Sequence, residues 1–488
     1  MSSNDKIALY GNRTNAVHVP EIISYKHLIY LFVIVVSVVS AGFLLLPDPY
    51  NLLPIILIPG TVFVVATIRY PFIGLFLYLF IFFFRPYELF PVPVHYEKIV
   101  ALILLAILAV HIALKRHEIR LSRLDMVVMA FVGAALASVP GFTYLSDVTM
   151  AWNAFFEFFK TFLVFFLVIQ IARSKTKLEA IVWLFLLSNL YIALSSSINY
   201  YFGTARYSMG IQRARGVAED GLNSHPNAVA NSLVLGLPFL YYFIKNYRNI
   251  IIRVLIVLII IASIWTVILT GSRGGQLSMF VFLLAVGWYS RHRAIGILAA
   301  VIFSITIFFV MPDQYKKRIE TLTNIDVEDG MVADESASGR IDGFISGMKF
   351  FSMRPLTGVG IGNFPRAHYE TGGVYSNAHN LPGQLLGELG LVGLVAFVAF
   401  IFMFAKTLKY ILHKYKDREW PKDFLFYNAV AIRTSFILLF VQGISGHNVY
   451  RFNWYIFAAF ASIMFFLVKD RLGSESKSDQ SMTVLTEQ

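Results

Sequence analysis

The stretch SNAHNLPGQLLGELGLVGLVAFVAFIFMF, residues 376–404, joins a polar motif directly to an apolar run. It ends a mixed polar and apolar segment from Pro312 to Gln384, the longest interruption in an otherwise apolar chain. A helix needs about 20 mainly apolar residues to cross a bilayer. The junction therefore predicts a long loop that returns to the membrane surface and holds His379 at the mouth of a transmembrane helix.

The composition of the whole chain is that of a membrane protein. Of its 488 residues, 57% are hydrophobic and only 14% are charged, whereas a soluble domain is about half apolar and about a quarter charged. We predict an all-α polytopic integral membrane protein with about fourteen transmembrane helices, or twelve if the two shortest are not spans. The predicted spans are 28–46, 52–68, 70–84, 99–114, 126–142, 153–172, 180–201, 227–244, 254–270, 277–289, 294–311, 385–405, 424–446 and 454–468.

Charge and cysteine content exclude several classes of protein. There is no cysteine, so disulfides and thiolate metal sites are excluded. The net charge of +12 resides mainly in short basic loops between apolar runs, a pattern of membrane orientation rather than of nucleic-acid binding. The first apolar run lacks a small-residue cleavage pattern, so we expect an uncleaved first helix.

Successive loops of a polytopic protein alternate between the two sides of the membrane, which predicts the side on which each loop lies. With a cytoplasmic N-terminus, most of the 41 lysine and arginine residues fall in inside loops, and the loop 312–384 falls outside. We divide the chain into a cytoplasmic N-terminus, 1–27, N-terminal helices of unknown role, 28–125, a main transmembrane domain, 126–468, and a disordered cytoplasmic tail, 469–488.

Four polar clusters fall on the predicted outer side. Guanidinium groups bind phosphate oxygens in a bidentate manner and stay charged, so the clusters predict a clamp for an anion. They are Arg206 to Asn231, with Arg213, Arg215, His225 and Asn227; Gly271 to Gly275, with Arg273; the long loop, with Arg340, Arg354, Arg366 and His379; and His447 to Arg451.

The cluster Gly271-Ser272-Arg273-Gly274-Gly275 has two interpretations. Its glycines permit a close backbone approach to a ligand, and the N-terminus of the following helix favours an anion. The same residues also suit a tight turn whose arginine reaches the lipid headgroups. No Gly-Lys-Ser/Thr follows, which excludes a Walker-type phosphate loop.

His379 is the candidate general base. An unperturbed imidazole titrates near pH 6.5 and can take a proton from an acceptor hydroxyl. The alternative is a loop histidine bonded to its neighbours, and His225 and His447 are weaker candidates for the same role. The acidic run Asp326 to Gly330 does not match a calcium-binding loop, and no outer Asp-x-Asp pair stands near a helix end, so we predict no metal.

Apolar residues recur at helical spacing within the long loop. They predict an amphipathic helix that either lies on the bilayer over the site or packs on the outer ends of the spans. These residues are Ile341, Phe344, Ile345, Met348 and Phe351. Within the spans, Glu157 and Lys160 can pair three residues apart, and Arg433 lies deep in its span, so we expect structural pairing rather than transport.

The order and spacing of several motifs resemble the O-antigen ligase family, which includes related bacterial O-antigen polymerases and protein O-oligosaccharyltransferases. The resemblance covers roughly residues 126–468. The motifs are Arg215-Gly216, His225-Pro226-Asn227, Gly271-Ser272-Arg273-Gly274-Gly275, the segment from Arg354 to Phe364, His379-Asn380, and the segment from Glu388 to Leu394.

The resemblance implies a GT-C-like glycosyltransferase of the bacterial inner membrane with a periplasmic active site. Its members move a glycan from undecaprenyl diphosphate to a hydroxyl of lipid A-core, protein or polysaccharide, with inversion and without metal or another cofactor. It assigns acceptor activation to His379, and diphosphate binding to Arg215 and Arg273. Supporting candidates are Arg213, His225, Asn227, Arg340, Asn380, Glu388 and Arg451.

Three other functions are alternatives to a ligase. A polymerase that extends a lipid-linked glycan shares the same donor and leaving group, and the motifs do not separate it from a ligase. A transporter of lipid-linked sugar predicts charges along the spans on both sides, whereas these candidates cluster on one face. A structural scaffold does not account for the convergent arginines.

Overall fold

A computed structural model gives the fold of the chain. It describes residues 34, 37, 38, 53–86, 96–140, 144–203, 206–208, 211–218, 221–290, 292–310, 312–320 and 330–486. The predicted cytoplasmic N-terminus and the acidic residues 326–329 lie outside this part. Contacts divide the chain into two compact units, Met1–Gly74 and Leu75–Gln488, and the site described below lies within the second unit.

The described residues form helices joined by short connections, with two small hairpins. The helices are α1 (Leu53–Arg69), α2 (Pro71–Phe84), α3 (Tyr96–Ala113), α4 (Arg123–Ser138), α5 (Val148–Ile171), α6 (Lys175–Phe202), α7 (Pro226–Asn246), α8 (Ile250–Leu269), α9 (Arg273–Trp288), α10 (Arg293–Val310), α11 (Asp313–Glu320), α12 (Gly330–Met353), α13 (Phe364–Glu370), α14 (Leu381–Asp417), α15 (Phe424–Ile444) and α16 (Phe452–Thr486). Between α6 and α7, β1 (Arg206–Ser208) pairs antiparallel with β2 (Ile211–Arg213), and β3 (Gly216–Ala218) with β4 (Gly221–Ser224).

Seven helices of the described part are long and apolar enough to cross a membrane. They are α5, α6, α7, α8, α14, α15 and the first 24 residues of α16, and the shorter apolar helices are Gly60–Arg69, Pro71–Phe84 and Arg293–Phe309. The prediction of an all-α polytopic membrane protein is therefore confirmed, apart from the two hairpins. The number of about fourteen spans, the GT-C-like architecture and the outer placement of the long loop stay predictions.

Helix α7 is the most enclosed of these spans. Of the 18 residues in its most apolar stretch, 83% are buried. The helix packs against α6, α8, α9 and α15. Polar groups fasten it to α15, because the Ser435 hydroxyl donates to the carbonyl of Leu235 at 2.9 Å and the Gln442 amide donates to the carbonyl of Asn231 at 3.1 Å. Hydrogen bonds of this kind hold helices together where both are apolar. The N-terminus of α7 is thereby fixed for the site residues His225 and Asn227.

Helix α14 is broken at Gly390, whose φ of 58° and ψ of −153° are not helical. The glycine-rich segment 354–364 lies in the break. The N–H groups of Val359 and Gly360 donate to α14 carbonyls before the break, at 2.8 and 3.0 Å. The two N–H groups after the break donate back to this segment, at 2.7 and 3.1 Å. The helix that was predicted from residue 385 thus begins at Leu381 and consists of two parts.

The long loop contains the predicted helix, α12, but its packing face differs from the apolar stripe. Gly343 and Gly347 face α14 and the residues before it, where an added Cβ would come within 1.9 Å of Ala378 and 2.5 Å of Gly383. The apolar residues Ile341, Phe344, Ile345 and Met348 stay exposed. The interpretation in which this stripe packs on the spans is therefore wrong, because small residues allow a closer approach of the two backbones than large apolar ones.

The C-terminal stretch also differs from the prediction. Residues 469–488 were expected to be disordered, whereas α16 continues to Thr486. The Arg471 guanidinium lies 3.9 Å from the centroid of the Trp420 ring, and it pairs with Glu475 one turn later at 3.6 Å. Lysine, glutamate and glutamine are good helix formers, so a serine-rich polar tail can still extend a helix that is anchored at its start.

Candidate functional site

A cavity of about 690 Å³ lies among α2, α5, α6, α7, α14 and the turn before α16. A cavity of this size can hold a small ligand or part of a larger one. Its phenylalanine lining is Phe82, Phe83, Phe158, Phe185 and Phe452, and its polar lining includes His225, His379, Gln384, His447, Arg451 and Asn453. The cavity therefore combines an apolar wall with imidazole, amide and guanidinium groups. No group of three or more His, Asp or Glu side chains suited to a metal ion occurs in the described part of the chain.

His379 lies at the wall of this cavity with an unusual backbone. Its φ of 52° is left-handed, a conformation that costs about 1–2 kcal/mol in a residue other than glycine. The residue is exposed. Partial desolvation, followed by the positive charge of Arg340, lowers the pKa of His379 below the usual 6.5. The imidazole is therefore neutral at pH 7 and can accept a proton.

His447 is the nearest aromatic neighbour of His379, with 5.7 Å between ring centroids. Burial, followed by the charges of Arg451 and His379, lowers the pKa of His447 to about 3. Its buried Nδ1 makes no hydrogen bond within the described residues. His447 is thus a neutral and weaker base, and His379 is the better candidate for proton transfer on grounds of both exposure and basicity.

Arg273 and Arg340 bring positive charge to the same region. Burial, followed by the positive charge of Arg340, lowers the pKa of Arg273. Neither arginine is among the residues that line the cavity. The charge of Arg340 also acts on His379. The pKa of Arg340 is also lowered by burial. Both side chains remain cationic near neutral pH because a guanidinium holds its proton very tightly. Two half-buried guanidinium groups beside a neutral imidazole can bind a diphosphate next to a base.

The glycines around Arg273 serve contacts within the protein. Gly271 has a φ of 55°, and an added Cβ at Gly274 or Gly275 would meet Ser445 at 2.6 Å or Ala230 at 2.5 Å. Ser272 caps α9 by accepting the N–H of Gly275 at 3.2 Å. The cluster is therefore a tight turn packed on α7 and the end of α15, and Arg273 is the first residue of the helix that follows.

The two arginines of the hairpin region have different surroundings. Arg213 is 1% exposed, and it donates from Nε to the carbonyl of Thr270 at 2.7 Å and from Nη2 to Oδ1 of Asn227 at 2.9 Å. These bonds tie the hairpin to α7 and to the turn before α9. Arg215 lies between β2 and β3, and its carbonyl accepts from Asn199 at 3.3 Å. Neither arginine lines the cavity that holds His379.

His225 and Asn227 mark the N-terminus of α7. His225 is the capping residue, and its Nδ1 accepts the N–H of Asn227 at 3.2 Å. Both residues line the cavity together with His379. A helix N-terminus favours an anion, so this wall adds to the positive potential of the site.

Asn380 and Glu388 hold other residues of the site in place. Asn380 caps α14 through its Oδ1, which accepts the N–H of Gly383 at 2.6 Å, and its Nδ2 donates to the carbonyl of Arg340 at 2.8 Å. Glu388 is 2% exposed and accepts the Tyr450 hydroxyl proton at 2.7 Å. Their contacts therefore join α14 to the loop helix and to the turn that carries His447 and Arg451.

Several lining residues were given no role in binding or catalysis by the sequence. Arg85 ends α2 with a φ of 47° and lines the cavity, although the first helices have no match to the motifs. Glu157 and Lys160 form the predicted pair, at 2.5 Å, and also line the cavity. Their charge within an apolar span was a usable signal, whereas nothing in the local sequence marks Arg85 as part of the site.

Part of the chain matches the sequence profile of a known protein family. The sequence profile of a family described as O-antigen ligase matches residues 256–398. The match runs from α8 into α14 and includes Arg273, Arg340 and His379, whereas Arg215 and Arg451 lie outside it. A comparison with curated proteins gives no match.

Proposed function

The chain belongs to the O-antigen ligase family, and from that premise we propose that it transfers a glycan from a lipid diphosphate to an acceptor hydroxyl. The donor is an undecaprenyl-diphosphate-linked glycan. The observation that carries this proposal is the position of His379, exposed and with a lowered pKa, at the wall of a cavity that also contains aromatic and cationic side chains.

The reaction is a single displacement at the anomeric carbon. The acceptor oxygen forms a bond to this carbon, while the bond from the carbon to the phosphate oxygen breaks and the lipid diphosphate leaves. His379 takes the proton of the acceptor hydroxyl. Attack opposite to the leaving group inverts the anomeric configuration, and the reaction requires no metal.

Arginines bind the leaving group in this proposal. Negative charge grows on the bridging phosphate oxygen as the bond breaks, and fixed positive groups stabilise that charge most strongly in the transition state. Arg273 and Arg340 are suited to this role because the positive charge of Arg340 acts on both Arg273 and His379. Arg451 supplies charge from the cavity wall, and Arg215 is a further candidate.

The aromatic part of the cavity suits an apolar ligand. Phe82, Phe83 and Phe452 pack together, with ring centroids 5.5 and 6.0 Å apart across the two helices. We assign this wall to the first isoprene units of the donor, whose diphosphate then lies beside the cationic groups. The reaction takes place on the periplasmic face of the bacterial inner membrane, where the long loop covers the site.

The acceptor is a hydroxyl of lipid A-core, a protein or a growing polysaccharide. A host that lacks the gene, complemented with wild type or with His379→Ala, separates these possibilities through its glycan profile. Long lipid-linked chains that only wild type converts to mature product establish a ligase, and single lipid-linked repeats establish a polymerase.

His413→Ala serves as the matched control, because His413 pairs with Asp417 on an exposed helix face. It should complement like wild type. A deletion host whose glycan profile is the same when it is complemented with wild type and with His379→Ala would overturn the proposal and favour transport of lipid-linked sugar.

A further inference from the structure

Three side chains of the long loop are joined in series by hydrogen bonds. The Asp342 Oδ2 atom lies 3.0 Å from Nε2 of His368, and Nδ1 of His368 lies 3.3 Å from the Ser376 hydroxyl. The residues come from α12, from α13 and from the segment before α14. The chain of contacts therefore links three elements that are separate in the sequence.

The central imidazole is held in one orientation. His368 is 4% exposed, its ring centroid lies 6.0 Å from that of Phe364, and an added Cβ at Gly373 would come within 2.3 Å of it. An ionised carboxylate only accepts hydrogen bonds, so Nε2 of a neutral His368 carries the proton that Asp342 accepts. In this tautomer Nδ1 accepts the proton of the Ser376 hydroxyl.

The segment 376–380 is held at both ends by the same helix. At its start, Ser376 is linked through His368 to Asp342 of α12. At its end, the Asn380 amide donates to the carbonyl of Arg340, one turn or less from Asp342. His379 lies between these two attachments, three residues after Ser376.

The backbone of His379 requires such attachments. A left-handed conformation in a residue other than glycine persists only where the surroundings hold it. The Asn380 amide also donates to the carbonyl of Ala378, at 2.9 Å, which holds the peptide before His379. Without the attachment at Ser376, the segment is free to relax toward an unstrained conformation that turns the His379 ring away.

We propose that Asp342, His368 and Ser376 form a positioning relay that holds the His379 imidazole in the cavity. The relay acts through the backbone of segment 376–380, and none of its three residues touches the reacting atoms. This inference rests on the proposed function, in which His379 is the base. It adds the residues that keep this base in its reactive orientation.

The relay is tested with the purified full-length protein and a lipid-diphosphate-linked glycan extracted from the deletion host. Displacement of a reacting group by about 1 Å can lower a rate by about 10²-fold. We therefore expect His368→Ala and Ser376→Ala to lower kcat by about 10- to 100-fold, while KM for the donor stays within about threefold of wild type. Asp342→Ala should behave in the same way.

Conservative replacement separates positioning from bulk stability. Asp342→Asn keeps an acceptor oxygen for the Nε2–H group, so it should retain most of the kcat that Asp342→Ala loses. Ser352→Ala is the control for serine removal, since Ser352 bonds only to its own helix at the carbonyl of Lys349 among the described contacts. Thermal unfolding of each variant, measured on the same preparations, shows whether the protein is folded.

Each outcome bears on the relay. Normal kcat in all three alanine variants, with His379→Ala inactive, would overturn the relay and leave the proposed function intact. Normal activity of His379→Ala would instead overturn the proposed function. Labelling of Ser376 by a fluorophosphonate probe would contradict a positioning role, because it would show a nucleophilic serine.

Discussion

The imidazole rings of His379 and His447 lie 5.7 Å apart, with 66° between their planes. His379 is exposed, whereas His447 is only partly exposed, and desolvation lowers its pKa to about 3. Both rings are therefore neutral near pH 7, and both line the cavity, but His379 is the more exposed and the more basic of the two. The pair therefore combines the proposed base, His379, with an uncharged neighbour, His447.

The acid limb of the pH–kcat profile reports the state of His379. Its pKa is lowered by desolvation and then by Arg340, so the neutral form, and with it the rate, should persist to a pH below 6.5. Arg340→Gln removes the positive charge that lowers the pKa of His379, so the acid limb should move to higher pH. Arg418→Gln, on an exposed helix end, should leave it in place. A wild-type limb at 6.5 or above would contradict the assignment of this base.

His447 should make the folded protein sensitive to acid. It is neutral when folded, with a pKa of about 3, and has a pKa near 6.5 when unfolded. Between these values only the unfolded state binds the proton, so the free energy of unfolding falls as pH falls from 6.5 to about 3 and then levels off.

The comparison of wild type with His447→Gln isolates this contribution. Glutamine does not titrate, so the melting temperature of this variant should fall less steeply over the same range of pH. Other titrating groups are shared and cancel in the difference. Parallel curves for the two proteins would show that His447 is not buried in its neutral form.

Arg273 should act mainly on the chemical step. Removal of a group that stabilises charge in a transition state lowers kcat by about 10²- to 10³-fold, and we expect this range for Arg273→Ala. Arg273→Lys keeps the charge but loses bidentate geometry, so it should fall between alanine and wild type. Transfer by Arg418→Ala should equal that of wild type. A kcat of Arg273→Ala within threefold of wild type would remove this arginine from the leaving-group site.

The break in α14 should depend on glycine at position 390. Alanine there would hold a left-handed φ of 58°, at about 1–2 kcal/mol, and its Cβ would come within 2.6 Å of the backbone of Gly358. We expect Gly390→Ala to lower the melting temperature by several degrees. Gly133→Ala, in α4 with open space around it, should match or exceed wild type. Equal melting of the two variants would contradict the docked arrangement of segment 354–364.

The sequence predicted the class of protein, and His379, its main candidate base, lines the cavity of the structure. Long apolar runs are a direct consequence of the bilayer, so the polytopic helical fold can be read from them. The motif around His379 was recognisable because it interrupts this pattern. The Glu157–Lys160 pair could be predicted because residues three apart share a helix face.

Other features depend on contacts that local sequence does not contain. The apolar stripe of α12 suggested a packing face, yet glycines make the contact with α14, since close backbone approach has no signature in hydrophobic periodicity. Arg213 and Arg273 both looked like anion ligands. Their difference arises from Thr270 and Asn227, which bury the first guanidinium through hydrogen bonds formed only in the fold. The break at Gly390 likewise requires a partner segment from elsewhere in the chain.

The rate of glycan transfer by purified His379→Ala protein tests the central claim most directly. The assay uses the lipid-diphosphate-linked glycan of the deletion host as donor, with wild type and His413→Ala measured beside it. Loss of a general base lowers a rate by about 10²- to 10⁴-fold, so His379→Ala should fall within this range while His413→Ala equals wild type. Transfer by folded His379→Ala at the wild-type rate would contradict the account.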